Sequence, residues 1–161
     1  MTTFTEPVVG GADGQWYEFL DTVARVRVPS SATDGALSIT EMHARAGHAT
    51  PMHRHAAADE AINVVEGRLT VHTADGTHTV ASGESVVLPA GQRHSLVADT
   101  QTEFVVTATP GGFDELVVAA GEPVAEASVP SSPPSEAAAG RVNECAPDHG
   151  VEILGPPPVS D

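Results

Sequence analysis

Alternating apolar and polar residues fill the first two thirds of the chain in short stretches, which is the period of half-buried β-strands. Turn-forming residues separate these stretches, as in the PSSATDG cluster at 29–35. An Asp-Gly pair at 75–76 lies between two of them and predicts a hairpin. We predict strands over residues 15–28, 36–44, 61–67, 68–73, 77–81, 85–90, 94–98 and 102–109. Many short strands with turns every 8–12 residues or so favour an all-β fold with a closed architecture.

The pattern changes at Pro110. The segment 110–123 predicts a short helix with Asp114 and Glu115 near its start, where acidic groups suit the helix dipole. Residues 124–150 are rich in Pro, Ala and Ser and read partly as linker, with a second helix predicted over 135–146 and capped by Ser135. The closing apolar residues Val151, Ile153 and Leu154 are expected to dock on the strands, the alternative being a disordered tail.

The length of 161 residues is that of one domain. We therefore predict a single domain over 1–161, in which a barrel spans about 15–109 and an extension over 110–161 packs on it. Residues 1–15 are expected to form a loose arm. Which face of the predicted strand 36–44 looks inward is not decided by its pattern.

Charge narrows the choice of partners. Seven basic residues, all of them Arg, stand against 22 acidic ones, giving a net charge of −15. Such acidity argues against nucleic acid and against an anionic membrane as partners. The partner that we expect is a small-molecule substrate. Strong acidity without Lys also suggests a halophilic source, because salt screens the self-repulsion. The alternative is an acidic protein from a GC-rich genome.

The sequence contains no apolar run near the ~20 residues of a membrane span, and its N-terminus lacks the features of a secretory signal. We therefore expect a cytoplasmic protein. The single cysteine, Cys145, excludes an internal disulfide framework. Cys145 and His149 are four residues apart, but without a second such pair we interpret Cys145 as an incidental thiol.

Candidate chemistry is concentrated between residues 47 and 67. His53 and His55 are two apart, so on an extended strand both imidazoles face the same side. A short connection over 56–58 then leads to Glu60, which a turn of that length can return beside them. Two imidazoles and a carboxylate form half of a metal site, and His94 offers a further ligand. Imidazole suits Zn, Cu, Fe and Ni, and the carboxylate adds tolerance for Mn. The alternative is a His-x-His pair that occurs by chance in a chain with eight His.

The glycines that frame these residues complete a known motif. Gly47, His53, His55, Glu60 and Gly67 stand at the spacing of the first motif of the cupin superfamily, which this stretch resembles at every position.

The second cupin motif is matched fifteen residues after the first ends. It comprises Gly83, Pro89, Gly91 and His94, with Ala98 where the family often has Asn. The resemblance implies a cupin-type double-stranded β-helix, or jelly-roll, barrel. It also implies one divalent transition metal (Mn, Fe, Ni, Co, Cu or Zn) held by His53, His55, Glu60 and His94.

The end of the chain carries a second resemblance. The segments 110–113 (PGGF) and 150–157 (GVEILGPP) are similar to those of single-domain cupins of the quercetin 2,3-dioxygenase-like subgroup. The resemblance implies an oxygenase that uses the metal to favour the deprotonated form of an enol or flavonol-like polyphenol, after which oxygen adds and a C–C bond breaks. Glu60 is then the candidate general base. Cupins of this size are commonly homodimers.

Three other functions stay open. A metal-dependent sugar isomerase on the same barrel would need cationic groups for a phosphate, and the candidates are Arg45, Arg54, Arg68 and Arg93, with Arg25 and Arg27 if their strand faces inward. A non-catalytic binding module would use the same metal ligands. A metal-free cupin is disfavoured, because every ligand position is kept.

The other histidines are interpreted conservatively. His43 and His48 are expected at the rim or surface rather than beside the metal, and His72 and His78 are expected to face solvent on the predicted hairpin.

Overall fold

The computed structural model describes residues 4–11 and 13–158. In chain order the strands are β1 (Trp16–Phe19), β2 (Thr22–Val28), β3 (Ser38–Ala44), β4 (Met52–His55), β5 (Asp59–Glu66), β6 (Arg68–Thr73), β7 (Gly76–Ala81), β8 (Ser85–Leu88), β9 (His94–Ala98), β10 (Thr102–Thr109), β11 (Glu122–Val124) and β12 (Val151–Gly155). The helices are α1 (Phe113–Ala120) and α2 (Glu136–Cys145), with single 3-10 turns at Ser30–Thr33 and Ala146–His149.

The strands form two antiparallel sheets. The larger has the order β11-β1-β2-β3-β10-β5-β8, and the smaller has the order β12-β4-β9-β6-β7. Side chains of both sheets share one apolar core, so the chain folds as a jelly-roll with a short helical extension. The predicted all-β class is confirmed, and the Asp-Gly pair does turn β6 into β7. The stretch predicted as strand over 15–28 is divided at Leu20 and Asp21, the two-residue turn of a hairpin in which Leu20 has a φ of 55°.

The alternation of inward-facing and outward-facing side chains along β5 and β10 explains the centre of the core. Ile62 and Val64 on β5 lie opposite Val106 and Phe104 on β10, and all four side chains are buried. Each such side chain stabilises the fold by about 1.5–3 kcal/mol when it leaves water. These pairs hold the middle of the larger sheet, from which Glu60 projects at the start of β5.

The structure decides the face of β3. Thr40 and Met42 are buried beside the core, whereas Glu41 lies on the opposite face beneath two arginines of β2. Glu41 Oε2 is 2.8 Å from Arg25 Nη2 and 3.1 Å from Arg27 Nε. Arg25 and Arg27 therefore lie outside the barrel.

Glu41 should give the fold a measurable dependence on pH. Burial raises the pKa of its carboxyl, but hydrogen bonds from Arg27, His43 and Arg25 outweigh burial and lower the pKa from 4.5 to about 2. The ionised carboxylate therefore contributes stability above pH 4.5, and this contribution is lost as the pH falls towards 2.

We expect Glu41→Gln to lower the Tm at pH 7 by about 2–4 °C, and the difference from the wild type to vanish near pH 2. Glu152→Gln is the matched control, because Glu152 pairs with Arg54 in an ion pair that is about half exposed, and such pairs contribute little. Thermal unfolding followed by circular dichroism measures both. An equal loss of Tm at every pH would contradict the assignment.

The described part of the C-terminal extension, 110–158, is folded and joins both sheets. β11 pairs with β1, and β12 pairs with β4 so that Val151 lies opposite His55 and Ile153 opposite His53. The predicted cap of α2 is confirmed, since Ser135 Oγ accepts a hydrogen bond from the Ala138 backbone N–H. In the described residues, no helix has the length and apolar character needed to cross a membrane.

Candidate metal centre

Three strands bring the four predicted ligands together. β4 carries His53 and His55 on alternate positions, and His94 opens β9, where it pairs across the smaller sheet with His53. β5 of the larger sheet supplies Glu60 from the other side. The centre therefore lies between the two sheets at one end of the barrel core.

Distances within this centre suit a metal ion. One ring nitrogen from each of His53, His55 and His94 lies within 4.8 Å of the other two. Glu60 Oε1 is 2.8 Å from His55 Nε2, and Glu60 Oε2 is 3.6 Å from His94 Nε2. Two ligands on adjacent octahedral corners, each about 2.1 Å from a metal, lie about 3 Å apart. The donor atoms therefore stand at separations that a single ion can span.

Backbone carbonyls orient two of the imidazoles. His53 Nδ1 donates to the Pro51 carbonyl at 2.8 Å, and His94 Nδ1 donates to the Gln92 carbonyl at 3.1 Å. In both rings the proton sits on Nδ1, so the lone pair of Nε2 is directed into the centre.

The surroundings of His94 Nε2 test whether a metal ion fits this centre. This atom is buried and has no hydrogen-bond partner within the described residues. A buried acceptor without a partner costs about 1–3 kcal/mol, unless a ligand satisfies it. A metal ion at the centre would do so, and the donor set of three imidazoles and one carboxylate suits a divalent transition metal.

The protonation states also favour a metal. Burial, with help from the neighbouring His94, lowers the pKa of His53 to about 4, so this imidazole is neutral near pH 7. Burial raises the pKa of Glu60, but the hydrogen bond from His55, together with the nearby His94, outweighs burial and holds the pKa of Glu60 well below its usual range. A neutral imidazole and an ionised carboxylate are the forms that bind metal.

The centre opens on a narrow, apolar cavity. The cavity has a volume of about 70 Å³, which is enough for several waters or a small organic molecule. Aliphatic and aromatic side chains from both sheets line most of it, among them Ile62, Leu96 and Phe104. The extension closes one side with Phe113, Leu116, Val142, Val151 and Ile153. These last contributions were not foreseen from the sequence, which predicted only that the tail docks.

The sequence of this region matches a known family. Residues 40–110, which hold all four candidate ligands, match the family model described as a cupin domain. Residues 40–110 therefore carry a cupin domain. No curated protein matches the sequence closely enough to add a relative.

Solved structures agree with the cupin fold. An RmlC-like cupin from Shewanella frigidimarina superimposes with a TM-score of 0.58 at 18% identity, covering 69% of this chain and 96% of that one. The polyketide cyclase RemF from Streptomyces resistomycificus superimposes with a TM-score of 0.55 at 24% identity, covering 65% of this chain and 80% of that one. An oxalate decarboxylase variant from Bacillus subtilis gives 0.57 at 22% identity, covering 71% of this chain but only 33% of that one. At these identities the likeness shows the fold alone.

Cationic side chains are missing from the cupin cavity, as far as the described residues go. Arg45 is paired with Asp21, Arg54 with Glu152 and Arg68 with Asp99. Arg93, the fourth candidate, is exposed. A phosphorylated substrate would therefore find no Arg or Lys side chain in the described lining of this cavity.

His48 corrects an expectation. It was expected at the rim or surface, but only 2% of it is exposed, it lines the cupin cavity, and its Nδ1 pairs with the buried carboxylate of Asp21. No local pattern signals this, because the two residues are 27 positions apart and meet only after the barrel forms. His43 does lie half-buried outside the barrel. On the hairpin, His78 is exposed and His72 half-buried.

A second group of possible ligands lies on the outer face of the larger sheet, formed by Glu41, His43 and Glu103. The carboxylate of Glu41 already balances the guanidinium groups of Arg25 and Arg27. Those fixed positive charges oppose a cation at this position, so the cupin cavity holds the stronger candidate site.

Proposed function

We propose that this protein is a metal-dependent oxygenase that acts on a small enolisable substrate. The observation that carries the proposal is a buried three-histidine, one-carboxylate centre opening on an apolar cavity without a cationic side chain. His53, His55, Glu60 and His94 would hold the metal. When bound, a divalent metal supplies Lewis acidity that favours the deprotonated form of an enol.

The protein's own residues contribute orientation and exclusion of water. The Pro51 and Gln92 carbonyls fix two ligand rings, which limits reorganisation on binding. The apolar wall removes water from around the reacting groups, and this strengthens every electrostatic interaction there. Glu60 is ionised and within reach of the centre, as a proton acceptor must be, although its low pKa makes it a weak base.

The size of the cavity favours one substrate class. A 1,3-diketone or a similar enol is small and mostly apolar, and its one acidic position would face the polar end of the cavity. A flavonol has three rings and is larger, so a cavity of this volume suits it less well. We therefore place small enolisable compounds ahead of flavonols, which stay in the test.

No observation favours either of two other functions, the sugar-phosphate isomerase and the non-catalytic binding module. A sugar-phosphate isomerase lacks the cation that its substrate would need in the cavity. A binding module would use the same centre without turnover, and only a rate measurement separates it from an enzyme.

The expectations of a cytoplasmic homodimer remain part of the proposal. Light scattering coupled to gel filtration, run in high salt because of the net charge of −15, tests the dimer. A mass of one chain would contradict it.

Elemental analysis followed by oxygen uptake tests the function. We expect about one Mn, Fe, Ni, Co, Cu or Zn per chain, and oxygen consumption that depends on an added 1,3-diketone. Uptake with flavonols alone would reverse our order of substrates. Bound metal without uptake on either class would overturn the oxygenase proposal, and no metal even after reconstitution would overturn the metal centre itself.

A further inference from the structure

His48 is a polar group of the cavity that the metal centre does not use. Its side chain is 3% exposed and lines the cavity together with Thr22 and Thr50. Both threonine hydroxyls are engaged elsewhere, that of Thr22 with the Phe19 carbonyl and that of Thr50 with the Ser95 hydroxyl. In this part of the cavity, His48 is thus the side chain that can accept or donate a proton and is not a candidate metal ligand.

Asp21 fixes the orientation of the His48 ring. It occupies the turn between β1 and β2, is 2% exposed, and its Oδ1 accepts a hydrogen bond from His48 Nδ1. Its other oxygen, Oδ2, accepts from Arg45 Nε at 2.7 Å. Burial raises the pKa of Asp21, but the hydrogen bond from His48 and the guanidinium of Arg45 outweigh burial and hold this pKa below the usual range. Asp21 is therefore an ionised, fully engaged acceptor.

This arrangement fixes the tautomer of His48. In the neutral ring the proton lies on Nδ1, towards Asp21, and Nε2 carries the lone pair. Among the described residues, the side-chain hydrogen bond of His48 runs through Nδ1, and His48 lines the cavity, so Nε2 is available to a molecule there. An imidazole held by a buried carboxylate on one nitrogen and free on the other is equipped to act as a general base.

We propose that His48 is the residue that takes the proton from the substrate, with Asp21 as its positioning residue. This inference rests on the proposed function. The acidic C–H or O–H bond of the enolisable substrate breaks, its electron pair stays on the substrate as an enolate, and the proton forms a bond with His48 Nε2. The resulting imidazolium is balanced by the Asp21 carboxylate, so no oxidant or further reactant enters this step.

The contacts of Glu60 favour His48 over Glu60 for this role. Both Glu60 oxygens already face imidazole nitrogens, Oε1 that of His55 and Oε2 that of His94. Any proton on Glu60 would displace one of these contacts, whereas a proton on His48 Nε2 displaces nothing. The charged groups around His48 are Asp21 and Arg45, and across the cavity stand His53, His55 and Glu60.

Anaerobic titration of the metal-loaded protein with pentane-2,4-dione tests the proposal without turnover. The enolate of this diketone is followed by its ultraviolet absorbance. We expect the wild type to bind it as the enolate near pH 7, and His48→Gln to weaken that binding at least tenfold with metal content unchanged. His78→Gln is the matched control, because His78 is exposed on the β6–β7 hairpin and should behave as the wild type.

Nitrogen-15 NMR of the histidine rings of the metal-free protein gives a second readout, which depends on neither metal nor turnover. We expect His48 protonated on Nδ1 in the wild type, and a shift towards the Nε2-protonated form in Asp21→Asn. Glutamine at 48 can still hydrogen-bond to Asp21, so loss of the fold is not the expected cause of a change. Finding His48 protonated on Nε2 in the wild type would overturn the proposal.

The outcomes separate this inference from the function on which it rests. Enolate binding that depends on His48, without oxygen uptake, would overturn the oxygenase function and support His48 as the base. Equal enolate binding by wild type and His48→Gln would return the role to Glu60 and overturn the inference, whatever the oxygen uptake. Absence of the enolate in the wild type would overturn it too.

Discussion

His94→Ala is expected to lower the affinity of the protein for a divalent metal at least about 100-fold, since even loss of a group that only supports a ligand costs about 10–100-fold. His94 is 2% exposed, and its Nε2 has no hydrogen-bond partner among the described residues, so metal binding is the role that its contacts leave open. Elemental analysis of the variant after dialysis against one metal measures the change. Circular dichroism establishes that the variant is folded.

His78→Ala is the control for this experiment, because it removes an exposed imidazole and should leave the metal content unchanged. His53→Ala should match His94→Ala, since both rings are oriented by a backbone carbonyl towards the same centre. Full metal content in either ligand variant would contradict the assignment of that residue.

A chain that ends at Gly150 is expected to lose about 2–4 kcal/mol of its free energy of unfolding, through the burial of Val151 and the partial burial of Ile153. β12 also pairs with β4, so its removal turns the strand that carries His53 and His55 into a sheet edge. Loss of that order is a large part of the 5–15 kcal/mol that stabilises a typical domain. Urea unfolding of the metal-free chain measures it.

A chain that ends at Pro156 is the matched control, because it keeps β12 and lacks only the residues that follow. We expect its urea midpoint to equal that of the full chain. The chain ending at Gly150 should in addition bind metal more weakly, since β4 is then supported from one side only. Equal midpoints for the two truncated chains would show that β12 contributes nothing to the barrel.

The sequence predicted most of the strands because these carry their own pattern, whereas β11 and β12 were not predicted as strands. Alternation with a period of two is a local property, and so are the Asp-Gly hairpin and the Ser135 cap, all of which the structure contains. The cavity could not be predicted from local patterns. Its wall combines β3, β5 and β10 with residues of α1, α2 and β12, which are distant in the chain.

Strand β3 shows why a local pattern cannot decide which side of a strand faces the core. Ile39, Glu41 and His43 alternate with Thr40 and Met42, and either set could have faced the core. Pairing with β2 and β10 settles the choice, because Arg25 then covers Glu41 while Met42 meets the apolar interior. A shift of one residue in register would have reversed it.

The sequence by itself determined the all-β class and the placing of His53 and His55 on one side of a strand, because alternation acts over a few residues. Their grouping with Glu60 and His94 was implied by the resemblance to the cupin motifs, and the structure brings the four side chains together. The tertiary structure alone decided that His48 is buried against Asp21 and that the extension closes the cavity. Both depend on contacts between segments far apart in the chain, and such contacts are set by packing and pairing over the whole barrel rather than by any local pattern.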